Sequence, residues 1–210
     1  MGILEVIRPK ILSLQKIPFV NNLIAEQFEI NKEHISLGLL TVNLDHALFV
    51  AMDQGTKDSD ADVAYKSSFY ANNTNSSGQV IGIFSGKNPT IIDNAINSTV
   101  NYLNEKANFY SANIDNSIIF FPHVIGSIGR FLADETGLLE GDSIAYLFAP
   151  PIEALVSIDH ALKNSDTRLV KFFKPPTFTN FAGAYLTGSI SDCQAAAQAF
   201  SEKIIDMTIN

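Results

Sequence analysis

The chain has 210 residues, of which 46% are hydrophobic and only 17% charged, and its formal net charge is −8. There is no cluster of Lys or Arg, so the electrostatic footprint of a nucleic-acid binder is missing, and an acidic field favours small cations and neutral solutes. The single cysteine, Cys193, excludes an internal disulfide and a cysteine-only metal site within one chain.

So much apolar surface with so few charges implies burial in subunit contacts as well as in cores. No stretch approaches the ~18 apolar residues of a membrane span, because the best run is broken by Pro150-Pro151 and Glu153. The start Met1-Gly2-Ile3-Leu4-Glu5 has no basic leader and no long apolar core. A soluble cytosolic protein with no membrane or nucleic-acid partner is expected.

Taken in chain order, the elements occur twice. Val20, Leu23, Ile24 and Phe28 keep helical spacing after Pro18 and predict a proline-led helix. Two strands are expected next, Ile35–Val42 and Ala47–Met52, joined by the turn Asn43-Leu44-Asp45-His46. A short helix carries Lys57-Asp58-Ser59-Asp60, and a third strand spans Asp62–Phe69. A polar connection, Ala71 to Gly78, leads to a fourth strand, Gln79–Phe84. An amphipathic helix closes the copy, with Asn88-Pro89 as cap and first residue and Ile92, Ile96, Val100 and Leu103 as its stripe.

The second copy reads alike. Val124, Ile128, Phe131 and Leu132 follow Pro122 as a helix that contains Gly126-Ser127-Ile128-Gly129. The strands are Ser143–Phe148, Ile152–Ile158, Thr167–Phe173 and Ala182–Leu186, the first two joined across Ala149-Pro150-Pro151. The last helix is capped by Ser191 or Asp192 and turns Ala195, Ala199 and Ile205 inward, with Phe200 nearby. The segment at Asp53 returns at Asp159 displaced by 106 positions, Pro18 returns at Pro122 displaced by 104, and Ser85-Gly86 returns at Thr187-Gly188 displaced by 102. Such a period means two copies of one domain, 1–109 and 110–210, and not a solenoid of short units. Each is read as α+β, a four-stranded, mainly antiparallel sheet with flanking helices on one face.

The search for chemistry finds no phosphate-binding loop, no dinucleotide fingerprint, no zinc spacing and no nucleophile elbow. His34, His46, His123 and His160 are scattered, and a solvated or hydrogen-bonded histidine is the ordinary reading of each. Cys193 lies in an Ala-rich helix and reads as a small buried hydrophobe. The repeated Lys57/Asp60 and Lys163/Asp166 read as helix termini and subunit contacts. An enzyme using Asp45 and His46 as a general base would need a partner acid or metal that the chain does not offer, so no catalytic residue and no metal site are expected.

The element order, together with Ile7-Arg8-Pro9, Ser36-Leu37-Gly38-Leu39, the run from Gly141 to Ala154, Ile158 to Asp166 and Tyr185-Leu186-Thr187-Gly188-Ser189, resembles the bacterial microcompartment shell proteins, in their tandem-domain ethanolamine-utilisation type. The likeness covers essentially the whole chain. It implies a circularly permuted shell domain twice over and a homotrimer shaped as a pseudohexagon. It also implies tiling with other shell proteins around the compartment's enzymes, a gated central pore, and small pores in each subunit that bind ethanolamine. On the family's pattern the ethanolamine contacts fall on Asp45, His46, Gln79, Phe109, Thr179, Asn180 and Phe181. A carboxylate and a ring face suit an ammonium, and amide and hydroxyl groups suit the alcohol. The gate is expected in the loop from Lys66 to Gly78, with Lys66, Phe69, Tyr70, Asn72 and Asn73 as its residues. No cofactor is required, while cobalamin is a candidate for binding or passage. The competing reading is a trimeric, ferredoxin-like module that senses a small molecule and never forms sheets.

Overall fold

The computed structural model describes residues 5–69, 80–175 and 177–209. The elements run β1 (Glu5–Ile7), β2 (Ile11–Ile17), α1 (Asn22–Gln27), β3 (Ser36–Val42), α2 (Asp45–Lys57), β4 (Asp62–Ser68), β5 (Val80–Gly86) and α3 (Pro89–Glu105). They continue with β6 (Phe109–Ser111), β7 (Ile119–Ile125), α4 (Arg130–Thr136), β8 (Ser143–Ala149), α5 (Pro151–Lys163), β9 (Arg168–Phe173), β10 (Ala182–Gly188) and α6 (Ile190–Ile209). The chain forms two compact units that interleave in sequence. One comprises 1–8, 108–128 and 133–210, and the other 9–107 and 129–132. The units therefore do not coincide residue by residue with halves cut between 109 and 110.

The unit built from 9–107 has an antiparallel sheet in the order β2-β3-β5-β4. Its core is made where Leu40, Val42, Val80 and Phe84 meet Leu48, Met52, Ile92 and Ile96, all buried. The α3 helix starts as its sequence requires: the Asn88 side chain accepts a hydrogen bond from the Ile91 N–H at 3.0 Å, with Pro89 in the first turn. Its buried stripe is Ile92, Ala95, Ile96, Thr99 and Leu103. Thr99 hides its hydroxyl by donating to the Ala95 carbonyl at 2.7 Å.

The other unit repeats that sheet as β7-β8-β10-β9 and extends it past β7 with β6 and β1. One face packs on α5 and α6 through Phe120, Ala145, Leu147, Ala184, Leu186, Cys193, Ala196, Phe200 and Ile204. The opposite face is also buried and carries Phe121, Tyr146, Phe148 and Tyr185, as strand alternation dictates.

Several expectations about the elements need correction. Ala47–Met52 and Ile152–Ile158 are not strands but lie inside α2 and α5. Eleven of the thirteen residues of α2 are buried, so its apolar run lacks the polar face that marks a helix by periodicity. Pro151 opens α5 in its first turn and makes no hairpin. Pro122 and Val124 lie in β7, and the second short helix begins only at Arg130. Pro122 sits beyond the last β6–β7 pair, a position that tolerates a missing N–H.

The β2, β6 and β1 strands carry a mixed apolar and polar pattern and had no strand signal of their own. The α6 helix is capped by Ser189, two or three residues earlier than expected. Ser189 Oγ accepts from the Asp192 N–H, and Asp192 Oδ2 accepts from the Ser189 N–H, both at 3.2 Å, a reciprocal capping box. Its inner face is Cys193, Ala196, Ala197, Phe200 and Ile204, because a helix with alanine on every side gives a weak phase signal.

Candidate functional site

Asp45 and His46 occupy the first turn of α2 rather than a free-standing turn. The approach is held where Asn43 Oδ1 accepts from the Lys10 N–H at 2.6 Å and the Asn43 N–H donates to the Lys10 carbonyl at 3.1 Å. Leu44 is extended and caps nothing with its side chain, so Asp45 supplies the negative charge that a helix N-terminus favours. Asp45 is 2% exposed and His46 is 5% exposed, so any charge held there is desolvated. The His46 N–H donates to Asp45 Oδ1 at 2.9 Å, and His46 Nε2 lies 3.6 Å from the same oxygen. The imidazole meets the Phe49 ring edge-on at 6.2 Å. A buried carboxylate so placed can accept a charge-assisted hydrogen bond from a small cation.

Phe109, Thr179, Asn180 and Phe181 belong to the other unit, and the fold brings most of them together. Phe109 is fully buried, stacks on Phe121 at 4.6 Å, and lies 5.8 Å from Phe181. The Thr177 N–H donates to the Phe181 carbonyl at 3.1 Å and the Thr179 N–H to Thr177 Oγ1 at 3.3 Å, tightening the loop before β10. Thr179 and Phe181 are buried, while Asn180 is exposed. The aromatic group extends through Phe121 to His123 at 5.1 Å and to Tyr146 at 5.8 Å. Those three were missed as site neighbours, although their alternation along β7 and β8 was there to be read.

Lys66 is not a loop residue. It lies in β4, its ammonium 4.7 Å from the Phe49 ring centre and 4.8 Å from that of Phe131. Phe69 follows β4 and is partly exposed. Tyr70, Asn72, Asn73 and Gln79 lie outside the described residues.

A second arrangement of charge was not foreseen. Asp53, fully buried in α2, accepts from the Gly129 N–H at 2.8 Å and the Leu132 N–H at 3.0 Å, with Lys57 Nζ 3.5 Å away. Arg130 donates to the Ala61 carbonyl at 2.6 Å and lies 3.4 Å from Asp62. A side chain at Gly129 would meet the Asp53 carbonyl oxygen at 3.0 Å and Lys57 Cγ at 2.5 Å, so the close approach requires glycine. Gly126–Gly129 is thus a link into α4 and not the interior of a helix.

Titration follows these surroundings. Hydrogen bonds from Gln54 and Ser98 hold the Asp58 carboxyl below its usual range. Burial, then the charge of Asp53, pushes Tyr102 up to about 12. Burial also raises the Cys193 thiol, the opposite of an activated nucleophile. Among the described residues no group of three or more His, Cys, Asp or Glu is placed to hold a metal ion, and no helix is long and apolar enough to cross a membrane.

No protein-family model matches the chain. Whole proteins do. The chain is 40% identical over 210 residues to the bacterial microcompartment shell protein EutL of Clostridium perfringens, covering 98% of this chain and 97% of that one. The crystal structure of that protein superposes with a TM-score of 0.96 over 100% of this chain and 97% of the other. The structure of the ethanolamine utilization protein EutL from Leptotrichia buccalis is 41% identical, with a TM-score of 0.95 over 100% of this chain and 97% of the other. A trimeric bacterial microcompartment shell protein, PduB, shares the fold at 19% identity, with a TM-score of 0.80 over 93% of this chain and 87% of that one.

Proposed function

We propose, from the fact that this chain belongs to the EutL family of bacterial microcompartment shell proteins, that it forms a trimeric, pseudohexagonal tile that selects and gates small solutes. The family places it in the shell of the ethanolamine-utilisation microcompartment, in a structural and not a catalytic role. Two permuted domains per chain let three chains supply six lobes, and a closed ring leaves no unpaired face within it. Other shell proteins are its neighbours in the wall.

The observation that carries the transport reading is Asp45, a carboxylate buried at the first turn of α2 where a helix N-terminus favours anionic charge. It holds the ammonium of ethanolamine beside His46. On the family's pattern Gln79 and, in the other unit, Phe109, Thr179, Asn180 and Phe181 are the further candidates for ethanolamine contact, with ring faces suited to an ammonium and amide and hydroxyl groups to the alcohol. The connection after Phe69, including Tyr70, Asn72 and Asn73, serves as the gate of the central pore, with Lys66 fixed at its root in β4. The tile needs no resident cofactor, and cobalamin is treated as a solute that binds or passes at that pore.

Electron microscopy of the concentrated protein tests the tile, and calorimetric titration with ethanolamine tests the site. Hexagonal layers and saturable binding are expected. A stable monomer at micromolar concentration, or a tile with no ethanolamine binding, overturns the corresponding half of the reading.

A further inference from the structure

Between α2 and α3 lies a cleft of about 420 Å³, within the roughly 300–1,000 Å³ of small-molecule sites. Every side chain that lines it is polar or charged. Gln54 of α2 and Asp58 at its C-terminal cap form one wall, and Asn97, Ser98, Asn101 and Tyr102 of α3 form the other. Asp58 Oδ2 accepts from Gln54 Nε2 at 2.9 Å and from Ser98 Oγ, which ties the two walls together. The same bonds keep the carboxyl ionised, and among the described residues nothing donates to its Oδ1. The Tyr102 phenol, pushed up to about 12, stays neutral.

Asn94, Asn97, Asn101 and Asn104 of α3 are all exposed, and their three- and four-residue spacing sets them along one helix face. The side chains of Asn94, Asn97 and Asn101 make no hydrogen bond among the described residues. Asparagine is a poor helix former, and a face that only meets water is better served by Glu, Lys or Gln. The second copy shows that the fold does without this row. The buried stripes of α3 and α6 align at a displacement of 193 − 92 = 101, with Ile92 on Cys193 and Leu103 on Ile204. Asn94 then falls on Ala195, while Asn97 and Asn101 fall on Gln198 and Glu202, which bond to each other at 2.8 Å. Asp58 falls on Asn164, whose amide donates to the His160 carbonyl at 2.8 Å. One copy closes these groups on themselves, and the other leaves its amides open.

We infer that the α2–α3 cleft binds a neutral, polyhydroxylated solute of polyol or monosaccharide size. A hydroxyl group donates and accepts at once, and a primary amide answers it in both roles, while a carboxylate oxygen accepts from it. A row of open amides beside Asp58 therefore matches a row of hydroxyls. Neither carboxylate stands alone to hold a cation, because Lys57 flanks Asp58 and Lys106 follows Glu105 in the lining. An anion would meet both carboxylates, and an apolar solute would strip water from polar groups without replacing it. The inference stands apart from the tile reading, since α2 and α3 belong to one unit of one chain.

Saturation-transfer magnetic resonance and calorimetric titration of the full chain with glycerol, sorbitol and D-glucose test it. Saturable binding of at least one of the three is expected. It should weaken about tenfold in the double variant Asn97→Ala/Asn101→Ala, which loses two neutral hydrogen-bonding groups. Gln198→Ala, on the matching face of the second copy, should bind as the wild type does. Alanine favours a helix more than asparagine, so the double variant should keep the wild-type circular dichroism and melt no lower, which separates lost binding from lost folding. No saturable binding of any of the three solutes overturns the inference. Binding that the double variant leaves unchanged also overturns it, because the solute then sits elsewhere, as does an equal loss in Gln198→Ala. None of these outcomes bears on whether the chain forms a trimer.

Discussion

The carboxylate of Asp53 binds the backbone N–H groups of Gly129 and Leu132, residues 76 and 79 positions further along the chain. One buried side chain thereby anchors a segment of the second sequence copy inside the unit built mainly from the first. Asp53→Ala removes the buried carboxylate that accepts from the Gly129 and Leu132 N–H groups and should cost about 2–4 kcal/mol. Asp159→Ala removes only an exposed i,i+4 pair and should cost less than ~0.5 kcal/mol in the isolated chain. Denaturant unfolding of both variants checks the contrast, and equal losses would contradict the anchor.

Asp45→Asn should weaken ethanolamine binding by roughly tenfold to a hundredfold, since a partly buried charge-assisted hydrogen bond is worth about 1.5–3 kcal/mol. Oligomeric state should not change. Calorimetric titration of the two proteins decides it, and equal affinities would remove Asp45 from the site.

Tyr102 should ionise late. With its pKa raised to about 12 by burial, the folded phenol stays neutral where the unfolded one, near ~10, has released its proton. The stabilisation that follows is complete below the unfolded value and is lost as pH rises from ~10 through the folded value. Tyr102→Phe should therefore narrow the fall in melting temperature between pH 9 and pH 11. Ultraviolet titration should show one fewer late-ionising tyrosine in Tyr102→Phe than in the wild type.

Gly183→Ala should destabilise the aromatic face. A Cβ there would stand 2.3 Å from Phe148 Cδ1 and 2.4 Å from the Leu147 carbonyl oxygen, and backbone cannot yield as a flexible side chain can. The cost should be about 2–4 kcal/mol, read as a lower melting temperature with a loosened near-ultraviolet signal from Tyr146 and Tyr185.

The repeat was legible because local chemistry is copied with the chain: Asp53 and Asp159 return with their lysines, and Asn88-Pro89 caps α3 without help from elsewhere. The buried core strands β3, β5, β8 and β10 and the amphipathic α3 follow from such local signals, whereas the sheet order does not, since β1, β2, β6 and β7 carry no readable strand pattern and β1 joins by a pairing far apart in sequence. What failed is what depends on two-sided burial. An apolar run such as 47–52 is consistent with a strand or a helix until its neighbours cover every side. Among the site residues, Phe109 and Phe181 meet only because β6 and the loop before β10 converge on Phe121, a contact between residues far apart in sequence. The sequence by itself determined two copies of one α+β domain and the type of each capped helix, because propensity and capping act within a few residues. Only the tertiary structure decided that Asp53 is an anchor while Asp159 is open. The two side chains are identical, and it is the cover over one of them, Gly129–Leu132, that sets the difference.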